Sequence, residues 1–344
     1  MMRYLGTFIL VALASICVTS SCSVACDLDN DGIDDPSAYQ LQGDGTITWS
    51  SILSSNSSTL TKTGFGDSNA VPVPGRYFGS AVAARYAFVD TSSFYWTVNT
   101  PIDGTNTLNF GLSGVSYMGG RDINGDGVTD LSKFVGRCNK FNSTCYTKSV
   151  RGNFAFNFSD GSTTFQNVLT TTGLYGKGLA ALFAMDADND GDDDICFAQY
   201  INNRNFRVIC KDVQSNTKIA TRNIGKFYNK PLSLKRAGQA DQIVLWKKVG
   251  NSTKITMVSA SGQKTNATVS ATGKMLSGDW LGTGSQQIGI ANGGVLTIFN
   301  PLSSTVSTTA IPSGIAFDCS NNLNGPGEAK IVTSSNICKV ADCN

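Results

Sequence analysis

The sequence of 344 residues contains no histidine. This absence excludes a Ser-His-Asp or Cys-His catalytic centre, a histidine general base and a histidine-ligated zinc site. No two cysteines follow the C-x-x-C spacing, so zinc thiolate sites are not indicated either. The formal net charge is only +2. A balance this close to neutral gives no field that would attract nucleic acid or an anionic membrane.

Long apolar runs are also missing, except at the N-terminus. There Arg3 precedes an apolar stretch from Tyr4 to Val18, followed by small residues, which is typical of a secretory signal peptide. We therefore predict a signal peptide over residues 1–25, a mature domain over residues 26–344, export from the cell and no transmembrane segment. The alternative is a bacterial lipoprotein anchored through Cys22.

Three short segments hold most of the acidic residues. They begin at Asp27, Asp122 and Asp186, follow the pattern D-x-[DN]-x-D-G-x-x-D, and contain 14 of the chain's 25 acidic residues. Carboxylates crowded in this way repel one another unless a cation lies between them.

The spacing of these loops suits calcium. Side chains at positions one, three, five and nine, with the backbone carbonyl of position seven, form an all-oxygen ligand set, and glycine at position six permits a tight turn. An EF-hand would need an acidic residue at position twelve and a following helix. Position twelve is instead Ala38, Lys133 or Phe197, and the residues after the loops have the pattern of strands. We predict up to three Ca²⁺ ions, with these ligands: Asp27, Asp29, Asp31, Ile33 and Asp35; Asp122, Asn124, Asp126, Val128 and Asp130; Asp186, Asp188, Asp190, Asp192 and Asp194.

The loop pattern recurs in weaker forms along the chain. Counting these relics, repeats begin near residues 27, 76, 122, 186, 233, 279 and 322, about 49 residues apart on average, which is typical of β-propeller blades. The relic at Asp279 has Leu281, Thr283 and Gln287 at its ligand positions, so we expect no metal there. The fold class predicted is all-β: a single β-propeller, with seven blades of about four antiparallel strands.

The acidic loops, each placed before an apolar strand, resemble the FG-GAP or VCBS repeat of integrin α-subunits and many exported bacterial proteins. Gly64-Phe65-Gly66 and the strand Tyr86-Ala87-Phe88-Val89 also resemble that repeat. The resemblance implies that the calcium loops join the first two strands of a blade and are structural. It also implies that ligands bind on the opposite face.

Eight cysteines remain after residue 25, and an even number in an exported chain favours disulfides. Cys138–Cys145 and Cys196–Cys210 flank predicted turns, so each pair is expected to bond within one blade. A third bond, Cys26–Cys319, would join the first blade to the last.

Three functional hypotheses follow. The first is a non-catalytic recognition or adhesion module for an extracellular protein or glycan. The second is a carbohydrate-active enzyme on a propeller scaffold, such as a polysaccharide lyase, and the third is a purely structural extracellular repeat protein. For recognition, the candidate contacts are aromatic residues near predicted turns: Phe94, Tyr95, Trp96, Tyr175, Tyr200, Phe206 and Trp246. Ordinary packing between blades is the alternative role for each of them.

Overall fold

The computed structural model describes residues 26–79, 82–99, 104–112, 115–141, 144–158, 163–170, 179–202, 205–225, 229, 231–317, 330–332 and 337–339. The predicted signal peptide lies outside these residues. Throughout the described part of the chain the regular secondary structure is β-strand. No helix in that part is long and apolar enough to cross a membrane.

Six four-stranded antiparallel sheets form the blades of a β-propeller. The strands of blades 1 to 3 are β1 (Ser37–Leu41), β2 (Ile47–Ile52), β3 (Thr59–Lys62), β4 (Ala70–Pro72), β5 (Ala87–Asp90), β6 (Tyr95–Asn99), β7 (Thr105–Asn109), β8 (Ser116–Met118), β9 (Leu131–Phe141), β10 (Thr144–Ala155) and β11 (Thr163–Thr170). Blades 2 and 3 are β4–β7 and β8–β11, each in chain order.

Blades 4, 5 and 6 are β12–β15, β16–β19 and β20–β23. Their strands are β12 (Leu179–Met185), β13 (Asp194–Asn202), β14 (Asn205–Lys211), β15 (Lys218–Gly225), β16 (Leu232–Arg236), β17 (Gln239–Val249), β18 (Ser252–Val258), β19 (Lys264–Val269), β20 (Lys274–Gly278), β21 (Gln287–Asn292), β22 (Val295–Asn300) and β23 (Thr305–Ala310). A separate hairpin joins β25 (Lys330–Val332) to β26 (Ile337–Lys339).

Blade 1 is assembled from both ends of the chain. Its first strand is β24 (Ile315–Phe317), which pairs with β1, and β2 and β3 complete the sheet. The first strands of the blades lie innermost, since β16 contacts both β12 and β20. The fourth strands are outermost, and every residue of β23 is exposed.

The predicted all-β propeller is therefore confirmed, but the predicted count of seven blades is not, because the described residues form six four-stranded sheets. Five of the seven repeat positions lie in the segments between first and second strands, and the one near residue 233 lies in β16, just before such a turn. The seventh, near residue 322, lies outside the described residues and directly follows β24. Because β24 is the first strand of blade 1, that blade was counted twice.

The predicted bond Cys196–Cys210 is confirmed: it joins β13 to β14, with 4.0 Å between the Cα atoms. Cys26 is also disulfide-bonded, but its partner is not described, so Cys26–Cys319 stays a prediction. The β9–β10 hairpin sets Cys138 opposite Thr147 and Cys145 opposite Lys140. The two cysteine side chains lie outside the described residues, so this pairing also stays a prediction.

An aromatic cluster holds the closing strand in place. Trp49 is fully buried, and its indole N–H donates to the Phe65 carbonyl at 2.7 Å. Phe317 of β24 packs edge-on against Trp49, with ring centroids 5.4 Å apart, and also contacts Tyr39. The ring closure at blade 1 thus depends on apolar packing as well as on strand pairing.

Phe317→Ala is expected to destabilise the protein by about 3–5 kcal/mol, the usual cost of truncating a buried phenylalanine. Thermal and denaturant unfolding would measure the loss. The control is Leu302→Ala, because Leu302 is 61% exposed and such surface changes usually stay within about 0.5 kcal/mol. Equal stabilities for the two variants would contradict the role given to this strand.

Candidate metal-binding loops

The three acidic loops lie at one rim of the propeller. Each precedes the second strand of its blade: residues 27–35 lead into β1, residues 122–130 into β9 and residues 186–194 into β13. In the second and third loops the preceding strands are β8 and β12, and in blade 1 that place belongs to β24. The three predicted ligand sets therefore occupy equivalent places in blades 1, 3 and 4.

The carboxylate at position one folds each loop around itself. Asp27 accepts the N–H groups of Asp31 and Gly32 at 3.0 and 3.1 Å. The equivalent bonds run to Asp122 from Asp126 and Gly127. Asp186 accepts the N–H of Gly191 in the same way, and its other bond comes from Asn189, one position earlier in the loop. The glycine at position six has a positive φ in each loop, for example 101° at Gly191, which glycine adopts without a steric cost.

Position nine closes each loop from the other side. Asp35, Asp130 and Asp194 each accept the N–H of the residue at position two, at 2.6 to 2.9 Å. The second carboxylate oxygen of Asp130 and of Asp194 is buried without a hydrogen-bond partner among the described residues. Such an orphaned charged oxygen is costly unless a cation meets it.

Carboxylate oxygens converge in the first and third loops. Those of Asp27, Asp29 and Asp35 all lie within 4.8 Å of one another, and so do those of Asp186, Asp188 and Asp194. The second loop has the amide of Asn124 at position three, so it offers one carboxylate fewer.

Burial dominates the electrostatics of these loops. Burial, together with the smaller effect of the neighbouring loop carboxylates, raises the pKa of Asp35 to about 7 and the pKa values of Asp130 and Asp194 to about 8. In Asp122 burial raises the pKa to about 6. Without a cation, the folded protein favours the protonated form of these groups, and a bound divalent ion would reverse that preference.

The relic loop at Asp279 shows what occupies the same space when acidic ligands are missing. Asp279 accepts the N–H groups of Thr283 and Gly284, as the other position-one carboxylates do. The Gln287 side-chain amide nitrogen at position nine donates to the Asp279 carboxylate at 3.1 Å, to the Thr283 hydroxyl at 3.0 Å and to the Ser285 carbonyl. One amide group thus binds the oxygens of positions one, five and seven.

This comparison tests the fit of a metal to the acidic loops. The shared backbone directs oxygens from positions one, five and seven toward one point, and in the relic loop a nitrogen donor lies there. The acidic loops have aspartate where the relic loop has Gln287, so they lack that donor. Their donor set, consisting only of carboxylate, amide and carbonyl oxygens, fits a hard divalent cation such as Ca²⁺.

Position eight has a role that the sequence analysis missed. Asp193 donates its N–H to the Asp122 carbonyl at 2.7 Å, and its carboxylate accepts the Asp122 N–H at 3.2 Å. Asp34 bonds in the same two ways to Asp279 in blade 6, at 3.1 and 2.6 Å. We call this reciprocal pair of bonds between neighbouring blades a clasp.

Clasps continue around the ring. Equivalent pairs are Thr129 with Arg76, Asp241 with Asp186, and Gln286 with Lys235. At the joint between blades 1 and 2, Ala84 donates its N–H to the Asp27 carbonyl at 2.7 Å, and alanine has no side-chain acceptor for the returning bond. The sequence signal for this role is the polar residue at position eight of every acidic loop: Asp34, Thr129 and Asp193.

Most described acidic residues outside the three loops serve local turns. Asp44, Asp67, Asp90 and Asp212 accept hydrogen bonds from backbone N–H groups two residues along the chain. Of the two others, Asp241 forms a clasp from β17 and Asp279 holds the relic loop.

The aromatic candidates have different environments. Trp96 is fully buried, while Tyr95 is 42% exposed. Phe94 lies at the turn between β5 and β6, with a φ of 66°. Phe206 and Trp246 pack against the buried cores of their blades. Tyr175 and the side chain of Tyr200 lie outside the described residues.

Comparison with known proteins gives similarity of fold alone. No protein-family model matches the chain, and no curated protein matches it. Among solved structures, a catalytically inactive virginiamycin B lyase from Staphylococcus aureus with quinupristin has a TM-score of 0.41 and 11% identity, covering 84% of this chain and 94% of its own. A streptogramin B lyase has a TM-score of 0.40 and 11% identity, covering 82% of this chain and 85% of its own. BBS1N in complex with ARL6DN has a TM-score of 0.39 and 11% identity, covering 87% of this chain and 92% of its own. Similarities this distant carry no argument about activity.

The raised pKa values predict how stability depends on pH. A carboxyl whose pKa is higher in the folded than in the unfolded protein destabilises the fold once the pH exceeds the pKa that the group has in the unfolded protein, near 3.8. In chelator, the melting temperature should therefore fall as pH rises from about 5 to 9, through the values of about 8 for Asp130 and Asp194. Added Ca²⁺ should stabilise the protein more at pH 9 than at pH 5, because at pH 5 protons compete for the same oxygens. Thermal melts across this range would check both trends, and a calcium effect independent of pH would contradict the assignment.

Proposed function

We propose that this protein is an exported, calcium-stabilised β-propeller of the FG-GAP/VCBS type, which acts as a non-catalytic binding module for another protein. The observation that carries the proposal is the difference between its two ends. At one rim, the acidic side chains are directed into loops and clasps. At the opposite end, apolar side chains are exposed on the turns.

Calcium would serve the structure at the acidic rim. The ligands would be the fifteen loop residues named from the sequence, with Ile33, Val128 and Asp192 contributing backbone carbonyls. The ion would neutralise the crowded carboxylates and meet the orphaned oxygens of Asp130 and Asp194. A ligand that binds only the folded state stabilises it by mass action.

Export is consistent with the cysteine chemistry. The Cys196–Cys210 bond is buried between two strands, and structural disulfides form in oxidising compartments. Calcium loops of the affinity found in extracellular modules, with a Kd of about 10⁻⁴–10⁻³ M, would be saturated there.

The opposite end of the propeller is here called the upper face. It consists of the turns between second and third strands and the links between blades. Six of the ten large apolar side chains that are exposed in the described part of the chain lie there, at the strand ends and in one link: Leu41, Tyr95, Leu112, Val249, Val295 and Ile315. We take these side chains as the apolar contacts of the proposed interaction surface.

A protein partner suits this surface better than a glycan. Five of the six side chains are aliphatic and offer no hydrogen bonds, whereas a bound sugar needs polar partners for its hydroxyl groups. Protein interfaces, in contrast, have apolar and weakly charged centres. An enzyme of the glycosidase type would need two facing carboxylates, and the described carboxylates outside the acidic loops are held in turns, a clasp and the relic loop.

Asp190→Ala should remove one calcium site while leaving the fold intact, because Asp190 is exposed and supplies a predicted ligand. Isothermal titration calorimetry should count one calcium site fewer than in the wild type. The matched control is Gln287→Ala in the relic loop, which should lower the melting temperature without changing the number of sites. Identical calcium isotherms for wild type and Asp190→Ala would contradict the assignment of the third loop.

Val249→Asp combined with Val295→Asp should abolish partner binding, because charge on apolar turns opposes burial in an interface. The test is crosslinking of the purified protein in its native extracellular milieu, followed by direct binding of the captured protein to each variant. Leu302→Asp is the control, since Leu302 is exposed in a turn at the acidic rim. The proposal is supported if the control binds and the double variant does not. Equal binding by both, specific binding on a glycan array, or turnover in a lyase assay would overturn it.

A further inference from the structure

We infer that the second and third calcium loops bind their ions cooperatively, through the clasp between Asp193 and Asp122, whereas the first loop binds its ion independently. This inference rests on the proposed function, because it requires that the loops bind calcium. It concerns the coupling between sites, which the ligand sets do not specify.

Asp122, at position one of the second loop, has two separate sets of contacts. The Asp122 side chain is a predicted ligand and accepts the N–H groups of Asp126 and Gly127 at 3.0 and 2.7 Å. Its backbone N–H and carbonyl are both bonded to Asp193 of the neighbouring blade. Any shift of Asp193 therefore shifts a ligand residue of the second loop.

Asp193 is itself positioned by the third loop. It stands between Asp192 and Asp194, which supply the predicted ligands at positions seven and nine. An ion in the third loop would fix both neighbours and so fix the residue between them. Asp193 is thus a positioning residue: it contacts no ion in its own loop and holds the backbone of a ligand in the next.

Arg121 limits the other positions that Asp193 can take. The Arg121 guanidinium lies 3.4 Å from the Asp193 carboxylate, and both side chains are buried. The guanidinium also donates to the Ser233 hydroxyl of blade 5 at 3.1 Å. Because breaking a buried ion pair is expensive, the clasp and the two loops should order together.

The sign of the coupling follows from this shared ordering. Binding of an ion in one loop orders Asp193 and Asp122, and the entropy lost in that step reduces the affinity of the first ion. A second ion in the other loop then binds residues that are already ordered, so it binds more tightly, which is positive cooperativity. By linkage, each site must raise the affinity of the other by the same factor.

The first loop provides the internal contrast. Its one clasp joins Asp34 to Asp279 of the relic loop, and its Asp27 carbonyl accepts a single bond from the Ala84 N–H. Neither neighbouring blade has an acidic loop, so no second calcium site is attached to it.

The experiment measures hydrogen exchange of the whole mature protein at increasing Ca²⁺, following the peptides that contain residues 27–35 and 122–130 separately. Asp190→Ala disables the third loop without touching the clasp. In this variant the Ca²⁺ concentration that half-protects residues 122–130 should rise by at least about five-fold, the lower end of typical coupling between sites. Protection of residues 27–35 should not move.

Asp193→Ala tests the clasp directly. It should shift residues 122–130 as Asp190→Ala does, and adding Asp190→Ala to it should cause no further shift, as expected for two changes on one path. Gln286→Ala is the matched control, because it breaks the equivalent clasp between blades 5 and 6 and should leave both calcium midpoints unchanged. If Asp193→Ala does not fold, the Asp190→Ala comparison alone decides.

An unchanged midpoint for residues 122–130 in Asp190→Ala would overturn the coupling. Equal shifts of both peptides would overturn it as well, since the effect would then be global. If Ca²⁺ protects none of the loops in the wild type, the proposed calcium sites themselves fail, and that outcome is distinct from the other two.

Discussion

The contacts between neighbouring blades depend on the peptide unit that begins the loop between the first and second strands of each blade. In four of the six blades an aspartate begins this loop, and its side chain accepts N–H groups from its own loop. The backbone of the same residue bonds to position eight of the next blade, or to Ala84 in blade 2. Folding of the loop and alignment of the blades are thus coupled, because a shift of this first loop residue would disturb both sets of hydrogen bonds.

Carboxylates buried in these loops create an electrostatic cost that is offset in three ways. In the relic loop, the Gln287 amide donates to the oxygens that converge there. In the acidic loops, aspartate takes that place, and a cation is the natural partner for the remaining oxygens. A third, partial answer is at the joint between blades 1 and 2, where the Arg76 guanidinium lies 3.4 Å from the Asp27 carboxylate.

Much of this architecture could be predicted from the sequence because loop geometry is local. The spacing of Asp, Gly and Asp over nine residues determines which N–H groups the first carboxylate can reach, and the strands after the loops follow the predicted pattern. The predicted count of seven blades was not confirmed, and the reason is topological. Pairing of β24 with β1 joins residues that are almost 280 positions apart, and no local pattern reports that the last repeat completes the first blade. Position eight was overlooked for a similar reason, since the partner of Asp34 is Asp279, 245 residues away.

The acidic loops are unevenly distributed around the ring, and this gives the molecule two kinds of joint. Blades 3 and 4 carry acidic loops side by side, and their shared clasp is formed by two carboxylate-rich segments. Blades 5 and 6 are joined by Lys235 and Gln286, and the relic loop of blade 6 is completed by its own amide, so this arc needs no ion. Blade 1 has an acidic loop next to the relic loop, at the point where the two ends of the chain meet. Withdrawal of the proposed calcium ions should therefore loosen the ring first between blades 3 and 4 and at the closing blade, while the arc of blades 5 and 6 keeps its alignment.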